Sequence, residues 1–216
     1  MDKDTIVETV RRYISEDSYL PRSALVLYGD WGSGKTHFCE NYLKQHLECA
    51  EDSDSAQIKM CRVSLFDVMN VEELYEKILV AYWHLDKPTK TNAVFHTFFS
   101  GVTSWVQRHL SDYGLKLSAK PRLAASFLPM SETLLVLDDL ERSSLSGSPI
   151  LFGAVNDMVE NQEWHVLLVR NSPVAFESNS AAEKSISLQM RYEPCAGELY
   201  DKLVGPHILE NHIAPD

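Results

Sequence analysis

Residues 29–36 read GDWGSGKT, and they directly follow the uninterrupted apolar run ALVLY at 24–28. An apolar run of this length is typical of a strand that is buried on both faces of a parallel sheet. Helical spacing of apolar residues resumes at Phe38, Tyr42 and Leu43. A strand, a glycine-rich turn and a helix in this order predict a βαβ unit, and therefore an α/β fold.

Four further segments have the composition of strands, at 58–65, 134–137, 165–169 and 185–190. The runs LLVL at 134–137 and HVLLV at 165–169 are predicted to be central strands because they are almost wholly apolar. Amphipathic helical spacing occurs between these two runs, at 151–159. The alternation of strands and helices predicts a mainly parallel central sheet with helices on both faces, in three layers.

Two helix starts are marked by polar residues that can cap the first turn. Thr5 and Glu8 match a capping box, which predicts a helix within the N-terminal segment 1–20. Asn70 followed by Glu73 predicts a second capped helix directly after Asn70. Both helices have apolar residues at helical spacing, so each is expected to pack one face against the sheet.

The length of 216 residues suits one domain with a sizeable core, and we expect residues 1–216 to form a single domain. With 44% hydrophobic and 24% charged residues, the composition excludes disordered and fibrous classes of protein. Residues 191–216 are interpreted as a tail, with one helix expected at 198–204.

Residues 86–130 are interpreted as an insertion between two parts of the sheet. Within it we predict a helix at 92–112 and an irregular stretch, punctuated by proline, at 114–129. The neighbouring aromatic residues are spaced as on helices, which favours core packing over a docking face. They are Tyr82, Trp83, Phe95, Phe98, Phe99 and Trp105.

The chain is acidic, with 20 Lys and Arg residues against 31 Asp and Glu residues and a net charge of -11. This balance gives no strong nucleic-acid signal, although a local basic patch stays open. The longest apolar-looking stretch is interrupted by polar residues, so no transmembrane segment is expected. The four cysteines form no CxxC pair and the N-terminus lacks the apolar core of a signal peptide, which together favour a cytoplasmic location.

The segment 29–36 matches the Walker A pattern G-x-x-x-x-G-K-[ST] in every fixed position. Glycines in such a loop let backbone N–H groups surround a phosphate, and the following helix N-terminus adds its positive end. Lys35 is expected to neutralise charge on the β- and γ-oxygens, and Thr36 to offer its hydroxyl to Mg²⁺. The predicted nucleotide-binding residues are Gly29, Asp30, Trp31, Gly32, Ser33, Gly34, Lys35, Thr36 and His37.

The strand at 134–137 ends in two carboxylates, Asp138 and Asp139, as expected of a Walker B strand. Asp138 is predicted to hold the metal together with Thr36. Asp139 is the candidate for orienting or deprotonating the attacking water, and Glu141 is the alternative.

Two arginines near the predicted strand tips leave alternatives open. Arg170, or Asn171 beside it, can contact the γ-phosphate, because ligands of open α/β sheets gather at the carboxyl ends of the strands. Arg170 can equally pair with surface carboxylates. Arg142 is expected chiefly to stabilise the turn after Asp139, with stabilisation of transition-state charge as the second reading.

These residues predict an ATPase with Mg²⁺ that acts as a nucleotide-dependent switch. An Asn/Thr-Lys-x-Asp segment, typical of guanine specificity, is absent, so adenine is favoured. A small-molecule kinase is the second enzyme reading, although few basic residues follow the Walker B turn to form an arginine-rich lid. A non-enzyme alternative is an interaction module that holds a nucleotide and has little turnover.

The sequence resembles the KAP family of P-loop NTPases, relatives of the STAND and AAA+ groups. The segments LYGDWGSGKTHF at 27–38 and LLVLDDLERSS at 134–144 carry this resemblance. It implies a strand added between the Walker A and Walker B strands, and ATP with Mg²⁺ as the ligand. It also implies that Lys35, Thr36, Asp138 and Asp139 have the roles given above.

The sequence is expected to depart from the family pattern in two places, the insertion and the lid. Many KAP proteins carry membrane helices in the insertion, and none is expected here. Relatives usually continue into a helical lid, which we expect to be largely missing from this chain, so that a protein partner or self-association completes the site or turnover is slow. Some relatives act in exclusion of bacteriophages, so the resemblance also implies a role in prokaryotic defence.

Overall fold

The central sheet has five strands, and all of its strand pairs among the described residues are parallel. The structure is a computed structural model that describes residues 1–15, 22–49, 57–85, 120–126, 128–175 and 180–194. The order across the sheet is β2-β3-β4-β1-β5. The strands are β1 (Ala24–Tyr28), β2 (Lys59–Ser64), β3 (Thr133–Asp138), β4 (His165–Arg170) and β5 (Ile186–Arg191). The prediction of a parallel α/β sheet is confirmed, and β4 is the strand added between β1 and β3.

Helical segments precede or connect the strands. The α-helices are α1 (Lys3–Ile14), α2 (Lys35–His37), α3 (Lys44–Glu48), α4 (Val71–Leu85), α5 (Lys120–Ala125), α6 (Pro149–Asn156) and α7 (Ser180–Ser185). Two π-helical segments, Phe38–Leu43 and Asp157–Asn161, and one 3₁₀ turn, Leu140–Arg142, complete the helical structure of the described residues. Helices α2 and α3 and the π-helical segment between them run without interruption from the end of the glycine-rich loop.

Two hydrophobic cores lie on opposite faces of the sheet. Because side chains alternate along a strand, Val26 of β1 points into one core while Leu25 and Leu27 point into the other. The first core is closed mainly by α4 and α6, and the second by α1 and the helical segments after the loop. This arrangement confirms the expected three layers, and it leaves the central strands buried on both faces.

The cap of α1 differs from its prediction. The helix begins at Lys3, and Asp2 accepts the Thr5 backbone N–H at 2.8 Å. Thr5 therefore lies within the first turn, and Glu8 pairs with Arg12 at 2.8 Å instead of closing a capping box. The prediction is wrong because the acidic residue three positions earlier is itself a good cap.

The cap of α4 is confirmed. The Glu73 backbone N–H donates to Asn70 Oδ1 at 3.0 Å, and Glu73 Oε2 accepts the Met69 backbone N–H at 2.8 Å. The two side chains thus exchange hydrogen bonds with the backbone at the start of the helix. This cap directs the chain from the end of β2 into α4, which covers the sheet.

The prediction for the insertion is wrong at one described segment, because α5 lies where an irregular stretch is expected. Pro121 is the second residue of α5, a first-turn position where its missing N–H costs no helical hydrogen bond. The helices predicted at 92–112 and 198–204 lie outside the described residues. Among the helices that the structure describes, none is long and apolar enough to cross a membrane.

Gly29, at the end of β1, has no room for a side chain. A Cβ atom there would lie 2.6 Å from the carbonyl oxygen of Tyr192, a backbone atom that cannot move cheaply. We expect Gly29→Ala to destabilise the fold by about 1–3 kcal/mol, as overpacking does. Gly153→Ala is the matched control, because a Cβ at this exposed position of α6 meets nothing within 4 Å.

The control change should stabilise the fold by about 0.5–1 kcal/mol, since alanine is the better helix former. Urea denaturation of both variants measures the two changes in the free energy of unfolding. Equal stability of Gly29→Ala and the wild type would contradict the close approach to Tyr192.

Candidate functional site

The glycine-rich loop joins the carboxyl end of β1 to the N-terminus of α2. Gly32 and Gly34 have φ angles of +74° and +87°, in the left-handed region that glycine adopts without strain. The carbonyl of Gly34 accepts the backbone N–H of Phe38 at 2.8 Å, so the helix begins directly at Lys35. The sequence therefore places glycine where the turn requires it, and a helix N-terminus faces the loop.

Lys35 lies inside the loop and is only 7% exposed. Its Nζ atom donates to the carbonyls of Gly29 and Asp30, both at 2.8 Å, and to Ser33 Oγ at 3.3 Å. Burial lowers the pKa of Lys35, and the charge of Glu141 is the main influence in the other direction. The ammonium thus holds the loop together from within.

Thr36 and Asp138 bring the loop and the tip of β3 into direct contact. Thr36 Oγ1 donates to Asp138 Oδ2 at 2.9 Å, across 102 positions of the chain. Asp138 is only 3% exposed, and its Oδ1 atom accepts the backbone N–H of Asp139 at 2.8 Å. Two oxygen-bearing side chains predicted to share a metal are therefore neighbours.

Arg62 of β2 is the main site residue that the sequence analysis missed. Its Nε and Nη2 atoms donate to Asp138 Oδ2 at 3.0 and 2.8 Å, and its Nη1 atom donates to Glu40 Oε1 at 2.7 Å. The available signal is a single arginine within the apolar segment 58–65. A charged residue in a strand that is expected to be buried requires a partner of opposite charge.

Asp139 has a left-handed backbone, with φ of +58°. This conformation starts the 3₁₀ turn and sends the chain away from β3 after Asp138. Asp139 Oδ2 accepts a hydrogen bond from Ser64 Oγ, at the end of β2, at 2.8 Å. The two adjacent carboxylates therefore contact different neighbours.

Arg142 connects the 3₁₀ turn to the glycine-rich loop. Its guanidinium carbon lies 4.9 Å from the centre of the Trp31 ring and 5.7 Å from that of Phe66. Its Nε atom is 4.0 Å from Asp139 Oδ1. These contacts favour the first of the two readings of Arg142, stabilisation of the turn.

Glu141, in the 3₁₀ turn after β3, lies beside Arg170 and Asn171 at the carboxyl end of β4. Asn171 Nδ2 donates to Glu141 Oε1. Arg170 Nη2 donates to Ser172 Oγ at 3.3 Å, while its buried Nε atom has no hydrogen-bond partner among the described residues. Burial lowers the pKa of Arg170, with the Glu141 charge opposing it. Arg170 therefore offers an incompletely bonded guanidinium beside the cavity.

Many of these residues line a cavity of about 420 Å³, within the size range of small-molecule sites, whereas Arg62 lies outside its lining. Gly29, Asp30 and Ser33 are absent from its lining and instead contact Lys35. Every other predicted site residue lines the cavity, as do Arg142 and Asn171, the alternatives named from the sequence, and Glu40, which was not predicted. The lining predicted residues are Trp31, Gly32, Gly34, Lys35, Thr36, His37, Asp138, Asp139, Glu141 and Arg170.

The parallel sheet, the glycine-rich loop after β1 and the acidic tip of β3 define the fold class of the P-loop NTPases. A family model described as the KAP family P-loop domain matches residues 3–128, more than half of the chain. The chain belongs to this family. Membership makes it a nucleotide-binding protein in general terms, and the matched residues end before Asp138.

Solved structures with a similar fold have low sequence identity. The chain matches the Aeropyrum pernix ORC1 protein in complex with DNA at 13% identity and a TM-score of 0.51, over 96% of this chain and 48% of that one. The match to C. elegans PCH-2 has 13% identity and a TM-score of 0.48, over 98% of this chain and 47% of that one. The match to Drosophila ORC bound to AT-rich DNA and Cdc6 has 13% identity and a TM-score of 0.49, over 94% of this chain and 30% of that one.

The chain thus spans less than half the length of each of these three structures. The likeness to the Aeropyrum pernix protein shows the fold alone. A search of the curated proteins found no match.

Proposed function

We propose that this chain binds ATP with Mg²⁺ and hydrolyses the β–γ bond, as a nucleotide-dependent switch. The observation that carries the proposal is the 2.9 Å contact between Thr36 Oγ1 and Asp138 Oδ2, at the edge of a cavity that Lys35 also lines. This contact joins two segments that are far apart in the sequence and that the proposal assigns to one triphosphate site.

The phosphate tail is proposed to lie in the glycine-rich loop, at the N-terminus of α2. Backbone N–H groups and the positive helix end favour an anion there. Lys35 would exchange its contacts with the Gly29 and Asp30 carbonyls for phosphate oxygens. This exchange keeps the ammonium hydrogen-bonded in both states, so its burial costs little extra when nucleotide binds.

The donor set at the loop fits Mg²⁺, because the hydroxyl of Thr36 and the carboxylate of Asp138 are the hard oxygen ligands that this ion prefers. Thr36 would hold the ion directly and Asp138 through its water shell. When bound, Mg²⁺ supplies neutralisation of the charge that develops on the phosphate oxygens.

Asp139 is proposed to orient the attacking water and accept its proton, with Glu141 as the alternative. Both carboxylates line the cavity, and each accepts a hydrogen bond, Glu141 from Asn171 and Asp139 from Ser64. Asp139 is held by Ser64 and by its own left-handed backbone. Arg170 is proposed to contact the γ-phosphate, since its guanidinium lacks a full set of partners among the described residues.

We further propose that residues 1–216 act as one domain in the cytoplasm and that a protein partner or a second copy completes the site. Adenine is the proposed base. We separately propose that the biological role of the chain is exclusion of bacteriophages, as the family resemblance implies. Plaque counts on cells that carry the wild type or Lys35→Ala test it.

Phosphate release from purified protein tests the proposed function. We expect slow, steady release with ATP and Mg²⁺, no release with excess EDTA, and weaker competition by GTP than by unlabelled ATP. Tight ATP binding without release, with or without candidate partners, would replace the ATPase by a nucleotide-holding interaction module. Transfer of the γ-phosphate to an added hydroxyl compound instead of water would replace it by a kinase.

A further inference from the structure

One arginine, Arg62, bridges the carboxylates of Asp138 and Glu40 beside the proposed metal position. The Arg62 side chain is 24% exposed, and it donates two hydrogen bonds to Asp138 and one to Glu40. No other arginine of the described residues contacts Asp138 by hydrogen bond or ion pair. A paired guanidinium of this kind forms strong, charge-assisted hydrogen bonds.

The hydrogen-bonding capacity of Asp138 Oδ2, the atom that Thr36 contacts, is already used. Its Oδ2 atom accepts from Thr36 Oγ1 and from the Nε and Nη2 atoms of Arg62, and its Oδ1 atom accepts from the Asp139 backbone. A carboxylate offers about two acceptor sites on each oxygen. While Thr36 keeps its hydrogen bond, a metal-bound water can therefore reach Asp138 Oδ2 only if Arg62 gives up both of its hydrogen bonds to that atom.

We propose that Arg62 competes with Mg²⁺ for Asp138 and thereby sets how strongly nucleotide binding depends on magnesium. This inference rests on the proposed function, because it requires that Asp138 hold the water shell of the ion. Glu40 gives Arg62 a second anchor, so the side chain remains paired at the rim of the cavity after it leaves Asp138.

The charge of Arg62 has opposite effects on nucleotide binding without metal and on nucleotide binding with Mg²⁺. Without metal, a cation beside the loop attracts phosphate oxygens and favours nucleotide binding. With metal, the same charge repels Mg²⁺ and holds the carboxylate that its water shell needs. Removal of Arg62 should therefore weaken metal-free binding and strengthen metal-loaded binding.

The ratio of two dissociation constants measures this effect without any turnover. Calorimetry with AMP-PNP, in excess EDTA and in excess Mg²⁺, gives the metal-free and metal-loaded constants. For Arg62→Met we expect the ratio of metal-free to metal-loaded Kd to rise about fivefold to tenfold over the wild type, from loss of one nearby charge. For Arg62→Lys, which keeps the charge but not the paired contact, we expect a smaller rise, about twofold.

Arg122→Met is the matched control, because Arg122 forms a comparable ion pair with Asp157, at 2.9 Å, away from the cavity. Its ratio should equal that of the wild type. A ratio that is unchanged or lower in Arg62→Met, while the wild type binds AMP-PNP, would overturn the competition. If Arg62→Met does not fold, the ratio in Arg62→Lys decides by the same rule.

Failure of the underlying function looks different in this experiment. Wild type that binds AMP-PNP in neither condition would refute the proposed nucleotide site, and the competition with it. Binding by the wild type with no effect of Arg62 would refute the competition alone.

Discussion

Lys35→Ala is expected to weaken binding of ATP with Mg²⁺ by about a hundredfold or more. The ammonium is the charged group that the loop encloses, and hydrogen bonds from a charged donor contribute about 1.5–3 kcal/mol each. About a hundredfold corresponds to ~2.8 kcal/mol, so the loss of one such donor to two phosphate oxygens suffices. Calorimetry of wild type and variant measures the change.

Lys44→Ala is the control for the general loss of a positive charge. Lys44 lies on the surface of the helical segment after the loop, and its Nζ atom is 4.0 Å from Glu48 Oε1. This variant should bind ATP as the wild type does. Equal affinity of wild type and Lys35→Ala, with both proteins folded by circular dichroism, would contradict the proposed triphosphate site.

Asp139→Asn is expected to leave nucleotide binding unchanged and to slow turnover by about a hundredfold to a thousandfold. An amide can still accept the hydrogen bond from Ser64 Oγ, but it cannot take a proton from water. General base catalysis contributes about 10²–10⁴ in rate, which sets the expected loss. Steady-state phosphate release measures turnover, and calorimetry with AMP-PNP measures binding.

Asp67→Asn is a closely matched control for this change. Asp67 also has a left-handed backbone, with φ of +63°, and it does not line the cavity. Asparagine tolerates this conformation, so the substitution keeps the local backbone in both variants. Turnover in Asp67→Asn should match the wild type. Undiminished hydrolysis by Asp139→Asn would move the base role to Glu141, and Glu141→Gln would test it next.

The sheet was predictable because its central strands are buried on both faces. Such strands are short and apolar, and the segments at 24–28, 134–137 and 165–169 differ clearly from the amphipathic helices around them. The first residue of α1 was harder to predict, since Asp2 and Thr5 are both good caps and the local sequence does not decide between them. Local sequence patterns therefore predicted the presence of strands and helices better than the residues at which they begin and end.

The two motifs of the candidate site were recognisable for a similar reason, because each is local. The contacts of Arg62 with Asp138 were not, since they join residues 76 positions apart. They depend on the register of β2 against β3, in which Ser64 is opposite Asp138 and Arg62 is two residues before Ser64. Sequence spacing alone does not fix the register of two strands that are so widely separated.

The position of β4 determines how far the two halves of the site can move apart. It is paired on one side with β1 and on the other with β3, and its middle residues are fully buried. Neighbouring strands are about 4.8 Å apart, so two continuous ladders fix a width of roughly ten Å between the carboxyl ends of β1 and β3. The floor of the candidate site is therefore rigid, and any widening of the cavity must come from side chains and turns at its rim.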